Sequence, residues 1–286
     1  MLGKAVYGYF SQFEDYKIYG ISRQSSYFLP NVTLLHGDLG SDEFLHSFSY
    51  LSFDAIIHCA AEVNVNLCEI NKVWASKSNV ESTKNLFSTL KSKKYIYIST
   101  DGVFDGRTGN YSEVSTTLPL NYYAETKLLG EKVTRDIVEN YYILRTNIYG
   151  FNFPMKKSLF EWGYTELKKG NNINGFNNMF FNPMYVGQLA KLIESLVVGQ
   201  IDFGTYNIST NEKISKYDFL LKIAKTFNFS IDNVHAVAFN QDDFVAPRAL
   251  NTTLNNTKIK TELKNFDFSF DASFLMLKKD FTIANN

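Results

Sequence analysis

Short apolar runs and amphipathic stretches alternate along the first half of the chain. The segments KIYGIS (17–22), VTLLHGD (32–38), DAIIHCAA (54–61), KYIYIST (94–100) and YYILRT (141–146) are compact and rich in Ile, Val, Leu and Tyr, which predicts buried strands. Between them, apolar residues recur at helical spacing over about 2–15, 41–50, 66–91 and 120–139, which predicts crossover helices. Strands and helices alternating in this way predict an α/β fold, a Rossmann-type doubly wound parallel sheet. Ligands of such sheets lie beyond the carboxyl ends of the strands. The residues just after each strand are therefore the first place to look for chemistry.

The pattern loosens after Gly150. A helix near 156–169, an Asn/Gly-rich turn at 170–178, a helix at 185–198, a strand near 204–209 and a helix at 215–228 follow, while the tail beyond about 262 shows no sharp signal. Residues 1–150 read as a dinucleotide-binding domain. Residues 151–286 read mainly as a small substrate lobe that returns at least one strand to the main sheet. The opening differs from the rest. Leu2, Val6, Tyr9, Phe10 and Phe13 begin directly at helical spacing, where a first strand and a glycine-rich turn are expected. MLGK resembles the end of that turn, with Gly3 as its third glycine. A strand and the rest of the turn amount to roughly ten residues. The expectation is that Met1 is internal to a longer chain and that the sequence as it stands binds cofactor weakly.

Composition narrows the classes. Lys+Arg and Asp+Glu both number 29, so no charge excess points to nucleic acid or to an anionic membrane. No apolar run reaches the roughly 18–20 residues of a membrane span, and no basic-then-apolar leader opens the chain. Cys59 and Cys68 would allow a disulfide on count alone, but nothing else suggests an oxidising compartment, and they read as two reduced thiols of a cytoplasmic protein. No Cys/His/Asp/Glu group has metal-ligand spacing, His58 ends a buried strand as a structural residue, and GNNING lacks the Gly-Lys-Ser/Thr of a phosphate loop.

The candidate chemistry is Tyr123 with Lys127, in YAETK. Residues four apart share a helix face, so phenol and ammonium can meet in one pocket, where the cation would lower the phenol pKa. The spacing alone carries little, because Tyr164/Lys168 has it too and sits on an amphipathic helix with no strand before it. Context separates the two pairs. KYIYIST ends in Ser99 and Thr100, a hydroxyl able to hold a substrate oxygen while Tyr123 protonates it. Pro119 is read as marking the start of the Tyr123 helix.

At these residues the sequence resembles the extended short-chain dehydrogenase/reductases. STDGVFDG, YAETKLLGE and LRTNIYG, and later FNPMYVGQLA, GTYNIS and PRALNTTLNNTKI, are most similar to the dTDP-4-dehydrorhamnose reductase branch. The resemblance covers nearly the whole chain. It implies that Thr100, Tyr123 and Lys127 are catalytic and that a nicotinamide cofactor delivers hydride to the 4-keto group of a nucleotide-linked 6-deoxy sugar. It also implies cofactor contacts at Asp38, Leu39, Ala60, Ala61, Asn79, Ser99, Thr146 and Ile148. Asn147 and Asp101 fall on the substrate side, with Asn182 and Trp162 as further lobe contacts or core residues. Arg248 sits where the branch has an Arg-Pro near the nucleotide phosphates, but here the order is Pro then Arg.

Ser22 and Arg23 follow the KIYGIS strand, and no acidic residue ends it. An acid there would bind the ribose 2′-hydroxyl of NAD, whereas an Arg takes the 2′-phosphate of NADP. NADP(H) is the preferred reading and NAD(H) the alternative. A homodimer is an option. Two rival functions remain. One is an epimerase or dehydratase of the same superfamily, disfavoured because Asp101 is followed by Gly102 and not by Glu. The other is a non-catalytic binding or regulatory subunit.

Overall fold

The computed structural model describes residues 1–23, 30–152, 154–156 and 158–285. Four predicted strands form one parallel sheet in the order Gly204–Ile208, Tyr141–Thr146, Tyr95–Thr100, Ile56–His58. The Tyr95–Thr100 strand is buried along its whole length. It is central, with a strand on either side, which is why it reads as continuous apolar sequence and not as an alternation. The strand from the second half, Gly204–Ile208, joins beside Tyr141–Thr146.

Ile18–Ser22 and Val32–His36 form a separate parallel pair, and among the described residues no ladder joins them to Ile56–His58. Side-chain packing holds them instead. Ile21, Leu39, Phe44 and Phe48 pack on a cluster that includes Leu45, Ile56, Leu86, Phe87, Tyr97 and Ile143. A larger core lies on the other face. Leu2, Phe10, Ile96, Tyr142, Leu144, Phe160, Leu189, Leu192, Phe219 and Phe274 belong to it, so both halves of the chain share one apolar interior.

Several predicted helices are shorter or broken. The first ends at Phe10 and the second covers only Asp42–His46. The stretch 66–91 divides into Val65–Ile70, Lys72–Ser76, a π-helical turn Lys77–Glu81 and Ser82–Thr89. Asn71 causes the first break. Its backbone leaves the helical region and its side chain accepts from the Trp74 amide at 3.1 Å, ending one helix and capping the next. The tail, unread from the sequence, contains Thr257–Glu262 and the helix Phe270–Asn285. The latter buries Phe270, Phe274, Leu277 and Phe281, a helical spacing present in the sequence but not recognised in it.

The Tyr122–Ile137 helix is fixed against the sheet at two successive residues. At Gly130 a Cβ would overlap the Tyr97 hydroxyl and lie 2.6 Å from the ring carbon bearing it, so only glycine permits this approach. Glu131 is fully buried. It accepts from Ser99 Oγ at 2.6 Å, from Arg145 Nε at 2.9 Å and from Arg145 Nη2 at 2.8 Å. A buried carboxylate met by a guanidinium fork has its lone pairs satisfied. Removing one partner leaves the other charge buried and alone.

Glu131→Ala is therefore expected to lower unfolding free energy by about 3–5 kcal/mol in urea titrations. Asp54→Ala, which breaks the exposed pair with Lys93, is expected to leave the urea midpoint unchanged.

Candidate functional site

Thr100 and Thr146 are ladder partners at the carboxyl ends of adjacent strands. Thr100 Oγ1 accepts from the Gly102 amide at 3.1 Å, which starts the short turn Asp101–Val103, and donates to Asp101 Oδ1 at 3.1 Å. Asn147 Nδ2 donates to the other carboxylate oxygen at 2.8 Å. The helix carrying Tyr123 begins at Tyr122, three residues beyond Pro119. Asn121 is its cap. The Asn121 side chain accepts from the Ala124 amide at 3.0 Å while its Nδ2 donates to Pro247 O at 2.9 Å. Glu69 accepts from the Tyr122 amide at 2.9 Å, closing another open helix donor.

This helix brings the Tyr123 phenol beside the Thr100 side chain. Lys127, one turn on, is buried with its Nζ 4.1 Å from the centre of the Tyr97 ring. Thr100, Tyr123 and Lys127 thus share one cleft at the end of the central strand.

Burial dominates the electrostatics. It holds the Tyr123 phenol well above its ordinary value, and the neighbouring Asp101 adds to the rise. The sequence predicts the opposite, a phenol lowered by the nearby ammonium. The difference arises because Lys127 is itself desolvated, its pKa brought down to about 7 with partial compensation from Glu131 and Cys59. Burial raises Asp101, against hydrogen bonds from Thr252, Asn147 and Thr100 and the charge of Lys216. Tyr123 is thus a neutral proton donor near neutral pH. His58 is also a buried neutral group. Its pKa is driven to about 3 by desolvation, and it bonds Thr83 at 3.0 Å. Cys59 is pushed up to about 12, an unreactive thiol.

The other sequence-predicted residues divide into three groups. Ala60, Ala61, Thr146, Asn147 and Ile148 follow the Ile56–His58 and Tyr141–Thr146 strands at the same end as Thr100. The Thr146 hydroxyl is buried and has no hydrogen-bond partner among the described residues. Ser22, Arg23, Asp38 and Leu39 follow the separate strand pair. Arg23 lies 5.5 Å from the Trp74 ring, and Asp38 accepts from the Gly40 amide at 2.9 Å. Gly3 is exposed, and a Cβ there would reach only Cys59 Cβ at 3.8 Å.

A third group serves the framework. Ser99 points to the opposite face of its strand from Thr100, toward Glu131, because side chains alternate along a strand. Asn79 bonds the Glu62 backbone and Thr126, pinning the π turn to the Tyr123 helix. Asn182 accepts from the Leu254 amide and donates to Ser209, Thr210 O and Leu254 O, which ties the lobe strands together. Ser99 and Asn182 thus both make internal ties. Trp162 lies on the outer helix, 41% exposed. Tyr164 packs with Phe160, Phe227 and Phe281, so the second Tyr/Lys pair is a packing feature.

Arg248 donates from Nη2 to Asn66 Oδ1 at 3.1 Å, and the preceding Pro247 O accepts from Asn121, the cap of the Tyr123 helix. Sequence reasoning did not single out Asn66, Asn121, Glu131 or Lys216. Glu131 alone left a readable signal, four residues after Lys127 on the same helix face.

A nicotinamide dinucleotide fits this cleft at its reactive end. Among the described residues the Lys127 ammonium makes no hydrogen bond and lies against the Tyr97 ring, and the buried Thr146 hydroxyl is orphaned. Both are donors suited to a cofactor's polar atoms. Among the described residues no cluster could hold a metal, and no helix is long and apolar enough to cross a membrane.

Residues 1–273 match the family described as RmlD substrate binding domain. Methionine adenosyltransferase 2 subunit beta of Rattus norvegicus is 28% identical over 271 residues, 91% of this chain and 79% of its own length. A probable low-salt glycan biosynthesis reductase, Agl14 of Haloferax volcanii, is 27% identical over 73% of this chain and 72% of its own. Among solved structures, a hypothetical dTDP-4-dehydrorhamnose reductase from Sulfolobus tokodaii superposes with a TM-score of 0.77 at 27% identity. It covers 94% of this chain and 93% of its own.

The lowered Lys127 pKa sets a pH dependence. Below pH about 7 the lysine is charged in both folded and unfolded chains, so its desolvation penalty is fully present. Between about 7 and the ordinary 10.5 only the unfolded chain carries the proton, so stability rises with pH across that window. Lys127→Met is expected to stabilise the cofactor-free protein more at pH 6 than at pH 10, measured by urea titration at both values.

Proposed function

The chain belongs to the RmlD substrate binding domain family, and on that premise we propose that it is an NAD(P)H-dependent reductase of the 4-keto group of a nucleotide-linked 6-deoxy sugar. The observation that carries this reading is the convergence of Thr100, Tyr123 and Lys127 in one cleft, with Lys127 and Thr146 left open to a ligand.

In this reading the substrate carbonyl oxygen lies between the Thr100 hydroxyl and the Tyr123 phenol. Tyr123 is neutral and donates the proton, and Thr100 fixes the oxygen that receives it. Asp101 and Asn147 hold Thr100 in place through the bonds at 3.1 and 2.8 Å. Lys127 would meet a ribose hydroxyl, and Thr146 the nicotinamide side. A reduced nicotinamide, when bound, supplies the hydride, and the protein supplies orientation. Arg23, with no acid at the end of its strand, supports NADP(H) over NAD(H). Residues 151–286 would supply the sugar-nucleotide side, with Arg248 toward the phosphates.

A second reading has a specific observation behind it. Methionine adenosyltransferase 2 subunit beta is similar over nine-tenths of this chain, which supports a binding or regulatory subunit on the same fold. An epimerase or dehydratase would use its cofactor without net consumption.

The test follows NADPH oxidation at 340 nm with dTDP-4-keto-6-deoxyhexoses. Turnover by the wild type is expected, with kcat in Tyr123→Phe reduced roughly 10²–10⁴-fold at unchanged folding. Product formed without NADPH loss would indicate the epimerase or dehydratase. No turnover, together with equal binding of a methionine adenosyltransferase catalytic subunit by wild type and Tyr123→Phe, would replace the reductase by the regulatory reading.

A further inference from the structure

Residues 238–249 form an Ω-shaped loop whose two ends meet on one stretch of the chain. At one end the Phe239 amide donates to Asn178 Oδ1 at 2.7 Å, and at the other Leu250 O accepts from the Phe180 amide at 2.6 Å. Between these ends the loop is folded on itself. Gln241 Oε1 accepts from the Arg248 amide at 2.8 Å, while its Nε2 donates to Ala246 O at 3.3 Å. Phe239 and Phe244 pack on each other and on Phe176, with ring centres 5.1–6.1 Å apart. The loop therefore keeps its own shape and is carried by the second half of the chain.

Its tip reaches the first half. Pro247 O accepts from Asn121 Nδ2 at 2.9 Å, and Arg248 Nη2 donates to Asn66 Oδ1 at 3.1 Å. These asparagines stand where two helices meet beside the proton donor. Asn121 caps the Tyr122–Ile137 helix two residues before Tyr123, and Glu69, on the helix that carries Asn66, accepts from the Tyr122 amide at 2.9 Å. The bonds at the tip are of a kind that breaks readily. Both asparagines are neutral, and among the described residues no ion pair ties the loop to the first half. A hydrogen bond between neutral groups adds little net stability, because water replaces it when it opens. Gln241, Asp242, Asp243, Val245 and Pro247 are exposed, with Ala246 the buried exception, so lifting the loop uncovers little apolar surface.

We infer that residues 238–249 are a lid, clasped at Asn66 and Asn121 beside Tyr123, which lifts from both to admit a ligand and closes again over it. The strong contacts lie at the base, at Asn178 and Phe180, and the weak ones at the tip, which is the arrangement a hinged segment needs. Such a lid opens locally while the rest of the chain stays folded. Its motion can be read without any ligand, so it goes beyond the reductase reading; only its gating of a sugar nucleotide rests on that reading.

The experiment is hydrogen–deuterium exchange of the full chain, read by mass spectrometry. It compares wild type with Asn66→Ala, Asn121→Ser and Asn66→Asp, each checked for an unchanged urea midpoint. Serine still caps the Tyr123 helix but removes the donor to Pro247. Aspartate gives the Arg248 guanidinium a charged partner and is also welcome in the first turn of its helix. The expected result is exchange of the 240–248 amides faster by roughly three- to tenfold in the Ala and Ser variants and slower by a similar factor in Asp. The slowing should disappear at about 1 M salt, where the new pair is screened. Amides of the Tyr122–Ile137 helix should exchange alike in all four proteins. In stopped flow, dTDP association should slow in Asn66→Asp and not in the other two variants. Loop amides that exchange at one rate in all four proteins, or in the wild type only with global unfolding, would overturn the lid. Exchange that responds as expected while dTDP associates equally fast with every variant would overturn its gating role. Responsive exchange in a chain that binds no dTDP would support the lid motion and count against the sugar-nucleotide reading.

Discussion

The buried pair Glu131–Arg145 is the constraint on which the rest of the cleft depends. It joins the Tyr122–Ile137 helix to the Tyr141–Thr146 strand, and through Ser99 to the Tyr95–Thr100 strand. Its cost in desolvation is high, and its geometry is full enough to offset it. One residue earlier, Gly130 lets the helix settle onto Tyr97. Between them these contacts fix the distance and rotation of the helix, and so the position of Tyr123 and Lys127 relative to Thr100. An error of about 1 Å there would separate a hydroxyl from the oxygen it must protonate. A salt bridge one turn behind the site therefore sets its precision.

The same burial that makes this anchoring strong also sets the protonation states. Tyr123 stays neutral because its phenolate would be desolvated and beside Asp101. Lys127 is brought into the physiological range because its ammonium is desolvated. Two groups usually treated as a cation tuning a phenol are thus each displaced mainly by exclusion of water. A proton donor that remains protonated at neutral pH is what reduction of a carbonyl requires.

The two sides of the cleft are held together by different forces. Thr100 and Thr146 sit in a continuous hydrogen-bonded ladder, which fixes register residue by residue. The strand pair carrying Ser22, Arg23 and Asp38 is attached to the main sheet by apolar packing, which is less directional. The proton-donating side is consequently the more rigidly specified half of the site.

Much of this was legible in the sequence. The strands stood out because buried parallel strands are continuous apolar runs. Tyr123 was separable from Tyr164 because only one of the two follows a strand ending in Ser-Thr. The sequence by itself determined the fold class, the order of the elements and the residues at the carboxyl ends of the central strands, since all of these follow from local periodicity and from where strands stop. It did not determine which side of a strand or helix faces the ligand. Ser99 and Thr100 are neighbours in sequence but point to opposite faces. Asn182 and Asn147 are both asparagines after a strand-like run, yet one bonds Ser209, Thr210 and Leu254 and the other meets Asp101. Only the tertiary structure decided that Glu131 anchors the helix, that the tail forms the Phe270–Asn285 helix, and that Pro247 and Arg248 meet Asn121 and Asn66, more than a hundred residues away in the chain. The physical reason is that pairing and burial are long-range. Whether a polar atom is satisfied or left open depends on groups brought to it from distant parts of the sequence, and no local pattern records that.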